Sequence, residues 1–123
     1  MLMVTDLKYL QQMTGNDIGM MKEVIELFLH QLDEMREEFD LLLKQKNWLE
    51  LSRLAHKIKS SSLMMGIEQM TNEMKELELL AREGINTDRY SDYFARFVEM
   101  SDSIGAELKK YLDSSSRETK TEN

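Results

Sequence analysis

Residues 17–45 read DIGMMKEVIELFLHQLDEMREEFDLLLKQ. Met21, Val24, Ile25, Phe28, Leu32, Met35, Phe39 and Leu42 recur at steps of three and four, which draws one apolar stripe down a helix. Between His30 and Asp33 no Pro or Gly calls for a break. At 1.5 Å per residue the stretch predicts a single helix about 40 Å long. A helix of that length with one apolar face needs other helices to cover it.

Those partners lie on both sides. Upstream, Thr5 and Asp6 are candidate caps for a short helix carrying Leu7 and Leu10; Thr14-Gly15-Asn16 stops it and offers Asn16 as the next cap. Downstream, Asn47-Trp48-Leu49-Glu50 pairs an Asn cap with a Glu three positions on, opening a helix to about Met65 that Gly66 ends. Ile67, Met70, Met74, Leu77 and Ala81 mark a further helix that stops at Gly84. Asn86, Thr87 and Asp88 then cap a last one, in which Tyr90, Phe94, Phe97, Ser101, Ile104, Leu108 and Tyr111 repeat at about 3.5 residues. Long helices joined by short turns run antiparallel to their neighbours. The expected fold is all-α: an antiparallel up-down-up-down four-helix bundle over residues 1–113, with a short N-terminal lid helix. Residues 114–123, SSSRETKTEN, carry no apolar side chain and are expected to be a disordered polar tail.

Composition agrees. The 123 residues, 41% hydrophobic and 32% charged, fit one domain. No Pro, five Gly and 11 Met favour helices. Without cysteine there is no disulfide framework, thiolate metal site or cysteine nucleophile. A net charge of −7 argues against nucleic acid as a partner, because phosphate backbones are bound by clustered Lys and Arg. Apolar runs such as Leu41 to Leu43 are far short of the ~20 residues of a membrane span, so no membrane association and a cytoplasmic location are expected. Met1 at one end and the polar run at the other suit a complete small protein better than a piece of a hybrid sensor kinase.

The helix from Asn47 to Met65 carries the chemistry. On a 100° wheel Leu51, Leu54, Ala55, Ile58, Ser61, Ser62 and Met65 form the buried side. Leu49, Arg53, His56, Ser60 and Leu63 lie opposite, flanked by Lys57 and Lys59. His56 is therefore expected in solvent at mid-helix, among cations and exposed leucines. A neutral imidazole is a competent nucleophile, and an exposed one is open to a large partner. Lys59, one turn on, suits the roughly two negative charges of a phosphoryl group. Leu49 and Leu63, with Met64 nearer the outer face, offer apolar area to a docking partner. Arg53, Lys57 and Lys59 form a basic patch on an acidic chain, complementary to an acidic partner site.

The run Ala55-His56-Lys57-Ile58-Lys59-Ser60-Ser61-Ser62-Leu63-Met64-Met65-Gly66 resembles the AHxLKGSSxxxG signature of histidine phosphotransfer (HPt) domains. As in that family, a Leu- and Glu-rich helix follows, ending Glu76-Leu77-Glu78. The resemblance extends over roughly residues 7–112, including the Gly15-Asn16-Asp17 turn and Phe28-Leu29. It implies a four-helix bundle whose histidine takes a phosphoryl group from one receiver-domain aspartate and passes it to another. By the same resemblance His56 is phosphorylated on Nε2 and Lys59 stabilises the phosphate. Ser60 stands where the family usually has Gly, one turn above the histidine; its hydroxyl has two candidate partners, the phosphate or the His56 carbonyl.

Other features read more plainly. His30 has Glu26, Asp33 and Glu34 one turn away, but a carboxylate-bundle metal site needs Glu-x-x-His pairs on two helices, so His30 is expected as a surface residue and no metal site is assigned. The methionines are mostly packing, Trp48 anchors a turn, and Glu68, Glu73, Glu76, Glu78 and Glu83 read as a solvated face. No acid is expected behind His56, which excludes a serine-based triad from Ser60 to Ser62. With no Gly-rich nucleotide cradle the chain is expected to be a carrier, not an enzyme; Mg²⁺ is supplied by the partner receiver, and this chain binds no cofactor of its own. The partners expected are response-regulator receiver domains or a hybrid histidine kinase, met by a monomer. The alternative function is a helical adaptor that docks receivers without carrying phosphate.

Overall fold

The computed structural model describes residues 5–121, with side chains through Ser114; residues 1–4 of the expected domain and 122–123 of the expected tail lie outside them. In chain order the elements are α1 (Lys8–Met13), α2 (Ile18–Gln45), α3 (Trp48–Met64), α4 (Glu68–Glu83), a 3-10 turn (Thr87–Arg89) and α5 (Tyr90–Thr121). The described residues include no strand. The all-α reading is correct, and α2 is unbroken.

One core serves all the helices. α3 packs on α4, and α2 lies against both α3 and α5 while α4 also touches α5. From α2 the predicted stripe delivers Met21, Ile25, Phe28, Leu32, Met35, Phe39 and Leu42 to the interior, with Val24 half-buried beside them. Phe39 meets Phe94 and Phe97 of α5 with ring centroids 5.0 and 5.7 Å apart. Fully burying a side chain of this size is worth about 1.5–3 kcal/mol, so Phe39 and Phe97, both wholly buried, contribute strongly to the core. α5 buries Tyr93 and Met100 beside Tyr90, Phe97, Ser101, Ile104 and Leu108 of the expected stripe, while Phe94 and Tyr111 are half-buried; Tyr93 and Met100 each lie one turn from a stripe residue and widen the face.

The turns explain where the helices stop. Asp17, not Asn16, caps α2: its side chain accepts from the Met20 N–H at 3.1 Å. Asn16 is unavailable because it and Gly15 both take left-handed conformations, φ 62° and 61°, to reverse the chain after α1. Asn47 caps α3 as expected, accepting from Glu50 N–H at 3.4 Å. Trp48 stands edge-on to Tyr90 at 5.0 Å, tying the start of α3 to the start of α5. α1 has no side-chain cap at its N-cap residue, Leu7; Asp6 instead accepts from the Lys8 N–H, while Thr5 reaches Glu107 of α5. At the far end α5 continues past Asp113 to Thr121, into the stretch expected as tail. That stretch holds no Pro or Gly, and lengthening a helix costs less than starting one.

Candidate functional site

α3 presents one face to the core and the other outward. Leu51, Leu54, Ala55, Ile58 and Ser62 are buried as the wheel predicts; Ser52 joins them and Ser61 is half-buried. Ser62 tolerates burial because its hydroxyl donates to the Ile58 carbonyl at 2.7 Å. Opposite, the His56 side chain is 60% exposed. Leu49 and Leu63 are 55% and 67% exposed, large for apolar residues with no neighbour to cover them. Arg53 and Lys57 are exposed and Met64 is half-buried.

The basis of the site lies on α4. Glu78 is only 7% exposed, and its carboxylate reaches across to α3. Oε1 is 2.7 Å from His56 Nδ1, and Oε2 accepts from Lys59 Nζ at 2.8 Å. Arg82, one turn along α4, has a guanidinium nitrogen 3.6 Å from Oε1. Ser52 fixes the backbone beneath, its hydroxyl donating to the Glu78 carbonyl at 2.8 Å. Burial pushes the Glu78 carboxyl up, but hydrogen bonds from Lys59 and His56 and their charge outweigh it and hold the group below its ordinary value. Ionised, Glu78 has only acceptors to offer, so the short contact assigns the ring proton to Nδ1. In the neutral ring Nε2 then keeps its lone pair, on the exposed side of the helix.

Two expectations are corrected here. An acid does stand behind His56, and the α4 glutamates are not a uniform solvated face. Glu78 was legible as an exception: it falls four residues after Met74 and eight after Met70, on the buried stripe. A carboxylate there is stable because α3 supplies its donors, which the α4 pattern alone does not reveal. Glu73 pairs with Arg96, and Glu76 accepts from the Tyr93 hydroxyl at 2.9 Å, while Glu68 and Glu83 are exposed as expected. Burial and the Glu76 contact push the Tyr93 phenol up.

The basic patch is also partly neutralised. Arg53 is paired with Glu50 and Lys59 with Glu78, which leaves Lys57 exposed beside them. Ser60 takes the second of its two candidate partners, donating to the His56 carbonyl at 3.1 Å. His30 is an exposed residue 2.8 Å from Glu34, and the described residues hold no cluster of three or more metal-ligating side chains. No helix is long and apolar enough to cross a membrane among the described residues.

An exposed imidazole with one nitrogen bound to a buried carboxylate and a lysine beside it has the parts of a nucleophile that handles anions. Comparison with known proteins points the same way. The Hpt domain family matches over residues 23–118. The phosphorelay intermediate protein YPD1 of Candida albicans is 31% identical over 78 residues, which cover 63% of this chain and 42% of that protein. This match therefore spans less than half the length of that relative. No solved structure matches.

Proposed function

Because the chain belongs to the Hpt domain family, we propose that it is a histidine phosphotransfer protein of a multistep two-component phosphorelay, taking a phosphoryl group on His56 from a receiver-domain aspartyl phosphate and passing it to another receiver. The observation that carries this reading is the contact of His56 Nδ1 with the buried Glu78 carboxylate, which leaves Nε2 as the nucleophile. In this reading Nε2 attacks phosphorus in line with the leaving carboxylate oxygen of the donor. Lys59 turns from Glu78 to the transferred group and offsets its charge.

The remaining residues serve docking. Leu49, Leu63 and Met64 supply apolar area around the histidine, and Arg53 and Lys57 supply positive charge facing an acidic receiver site. Ser60, bonded back to the His56 carbonyl, keeps its bulk close to the helix, so that it takes the place of the family's usual Gly without blocking approach. The receiver brings the magnesium ion, and the chain acts as a carrier, not as an ATP-dependent kinase. An up-down-up-down bundle, with α1 as a lid, is the arrangement we assign to the helices; the short turns between α2, α3 and α4 and the closed circuit of packing from α2 through α3, α4 and α5 support it. A monomer in the cytoplasm, where receiver domains work, completes the proposal.

The test is incubation with phosphorylated receiver domains followed by intact mass measurement. Wild type gains ~80 Da in an acid-labile, alkali-stable form and His56→Gln gains nothing. A receiver that binds tightly yet leaves no label on wild type makes the chain an adaptor instead.

A further inference from the structure

Between α2 and α5 runs a groove of about 430 Å³, lined by residues of these two helices alone. We infer that it binds a small zwitterion carrying both a carboxylate and an ammonium group, the chemical class of the free aliphatic α-amino acids. The inference is independent of the carrier reading, since no residue of α3 or α4 lines the groove.

Ser101 forms part of the wall. It is only 9% exposed, and among the described residues no group pairs with its buried hydroxyl. Other helical hydroxyls behave differently: Ser60, Ser62 and Thr71 each donate to the carbonyl four residues earlier. Ser101 makes no such bond. A buried polar group without a partner is costly, so a free hydroxyl on the wall of a groove points to an acceptor that enters it. Gly105, one turn on, opens the space beside it. Glycine weakens a helix interior, yet a Cβ here would meet nothing within 4 Å, so packing within the fold does not ask for it.

The charges fix the class of ligand. Arg36 and Asp102 answer each other at 3.5 Å, and His30 is engaged by Glu34. Among the described residues Asp33 and Lys109 form no ion pair, which gives the groove one free anion and one free cation. Lys109 stands two turns beyond Ser101 on the same row of α5, and a helical side chain leans toward the N-terminus, so Lys109 leans toward Gly105. Phe39 meets Phe97 while Arg36 meets Asp102; the pairing steps back along α2 as it advances along α5, which brings Asp33 about level with Gly105 on the opposite wall. A carboxylate above Gly105 accepts from Ser101 Oγ and Lys109 Nζ, and an ammonium on the same molecule meets Asp33. Leu29 and Leu32 give a short aliphatic chain its apolar wall. A ligand with a single charge leaves either Asp33 or Lys109 unanswered.

The experiment titrates the full ¹⁵N-labelled chain with L-leucine, with acetate and with ethylammonium, following the backbone amides by NMR. L-Leucine is expected to shift amides of residues 29–36 and 101–109 with half-saturation near about 1 mM, and each single-charge probe to bind at least about tenfold more weakly. Ser101→Ala should weaken L-leucine about tenfold, the loss of one hydrogen bond to a charged group. Gly105→Leu, which fills the open space, should abolish the shifts while circular dichroism stays that of wild type. No saturable shift with L-leucine, or shifts that persist in Gly105→Leu, overturns the proposal. Acetate binding as tightly as L-leucine overturns it too, because the groove is then an anion site only. Should Gly105→Leu fail to fold, Ser101→Ala and Lys109→Ala decide: unchanged affinity in both overturns the proposal, and weakened affinity in both supports it.

Discussion

Gly66 packs against the backbone of Asp6 so closely that a Cβ placed on it would overlap the Asp6 carbonyl oxygen and stand 2.7 Å from the Asp6 Cβ. The same junction is tied by the Asp6 N–H donating to the Met65 carbonyl at 3.3 Å. The segment leading into α1 is thus seated on the turn between α3 and α4, just beyond the helix that carries His56.

Gly66→Ala should therefore cost more than a left-handed conformation alone. At φ 65° that conformation costs a non-glycine residue roughly 1–2 kcal/mol, and displacing the Asp6 backbone adds about 1–3 kcal/mol. Gly15→Ala, at φ 61° with open space around it, should show only the first part. Urea unfolding of the two variants checks the difference; equal losses would mean that the Asp6 contact yields freely.

Tyr90 closes the turn after α4. Its hydroxyl reaches the carbonyls of Leu80 at 2.8 Å and Ile85 at 2.6 Å, and burial pushes the phenol up. Tyr90→Phe should lose about 1–2 kcal/mol, since both carbonyls are left without that donor. Thermal unfolding measures it, and a change within a few tenths of a kcal/mol would assign those carbonyls to water.

Acid should unfold the protein in part through Glu78. Its folded-state pKa lies below its ordinary 4.5, so the unfolded chain binds the proton more readily. The stability from this group is present above about pH 4.5 and is lost as pH falls through the lower folded value. Stability curves of wild type and Glu78→Gln between pH 7 and 3 should converge toward the acid end. Parallel curves would mean that the carboxylate stays unperturbed.

Much of this was readable beforehand, and each exception has a physical cause. The stripes of α2 and α5, the Asn47 cap, the Gly66 and Gly84 stops and the exposure of His56, Leu49 and Leu63 all follow from spacing within a single helix. What spacing does not carry is a contact between helices. Glu78 reads as one of several acids until α3 is laid beside it, and only then do His56, Lys59 and Ser52 become its partners. Asn16 fails as a cap for a different, local reason: the chain reversal uses the left-handed conformation that capping excludes.

Docking should separate from folding at Leu63. At 67% exposure this side chain contributes little to the core, so Leu63→Ala should leave stability within about 0.5 kcal/mol. Affinity for a receiver should fall about tenfold, the loss of one well-placed apolar contact. Titration by calorimetry distinguishes the two, and unchanged affinity would place the interface elsewhere.

Lys59→Ala should slow phosphoryl transfer by about fivefold to tenfold, corresponding to roughly 1 kcal/mol for a partly exposed contact. Single-turnover transfer measures it; an unchanged rate would leave Lys59 only its ion pair with Glu78.

The central claim is that His56 carries a phosphoryl group between two receivers, and a two-step chase tests it most directly. The protein is loaded from one phosphorylated receiver, purified, and mixed with a second, unphosphorylated one. The account predicts that the label on His56 disappears as an equal amount appears on the second receiver, and that His56→Gln neither loads nor delivers. Label that reaches the second receiver through His56→Gln, or that never enters wild type, would contradict it.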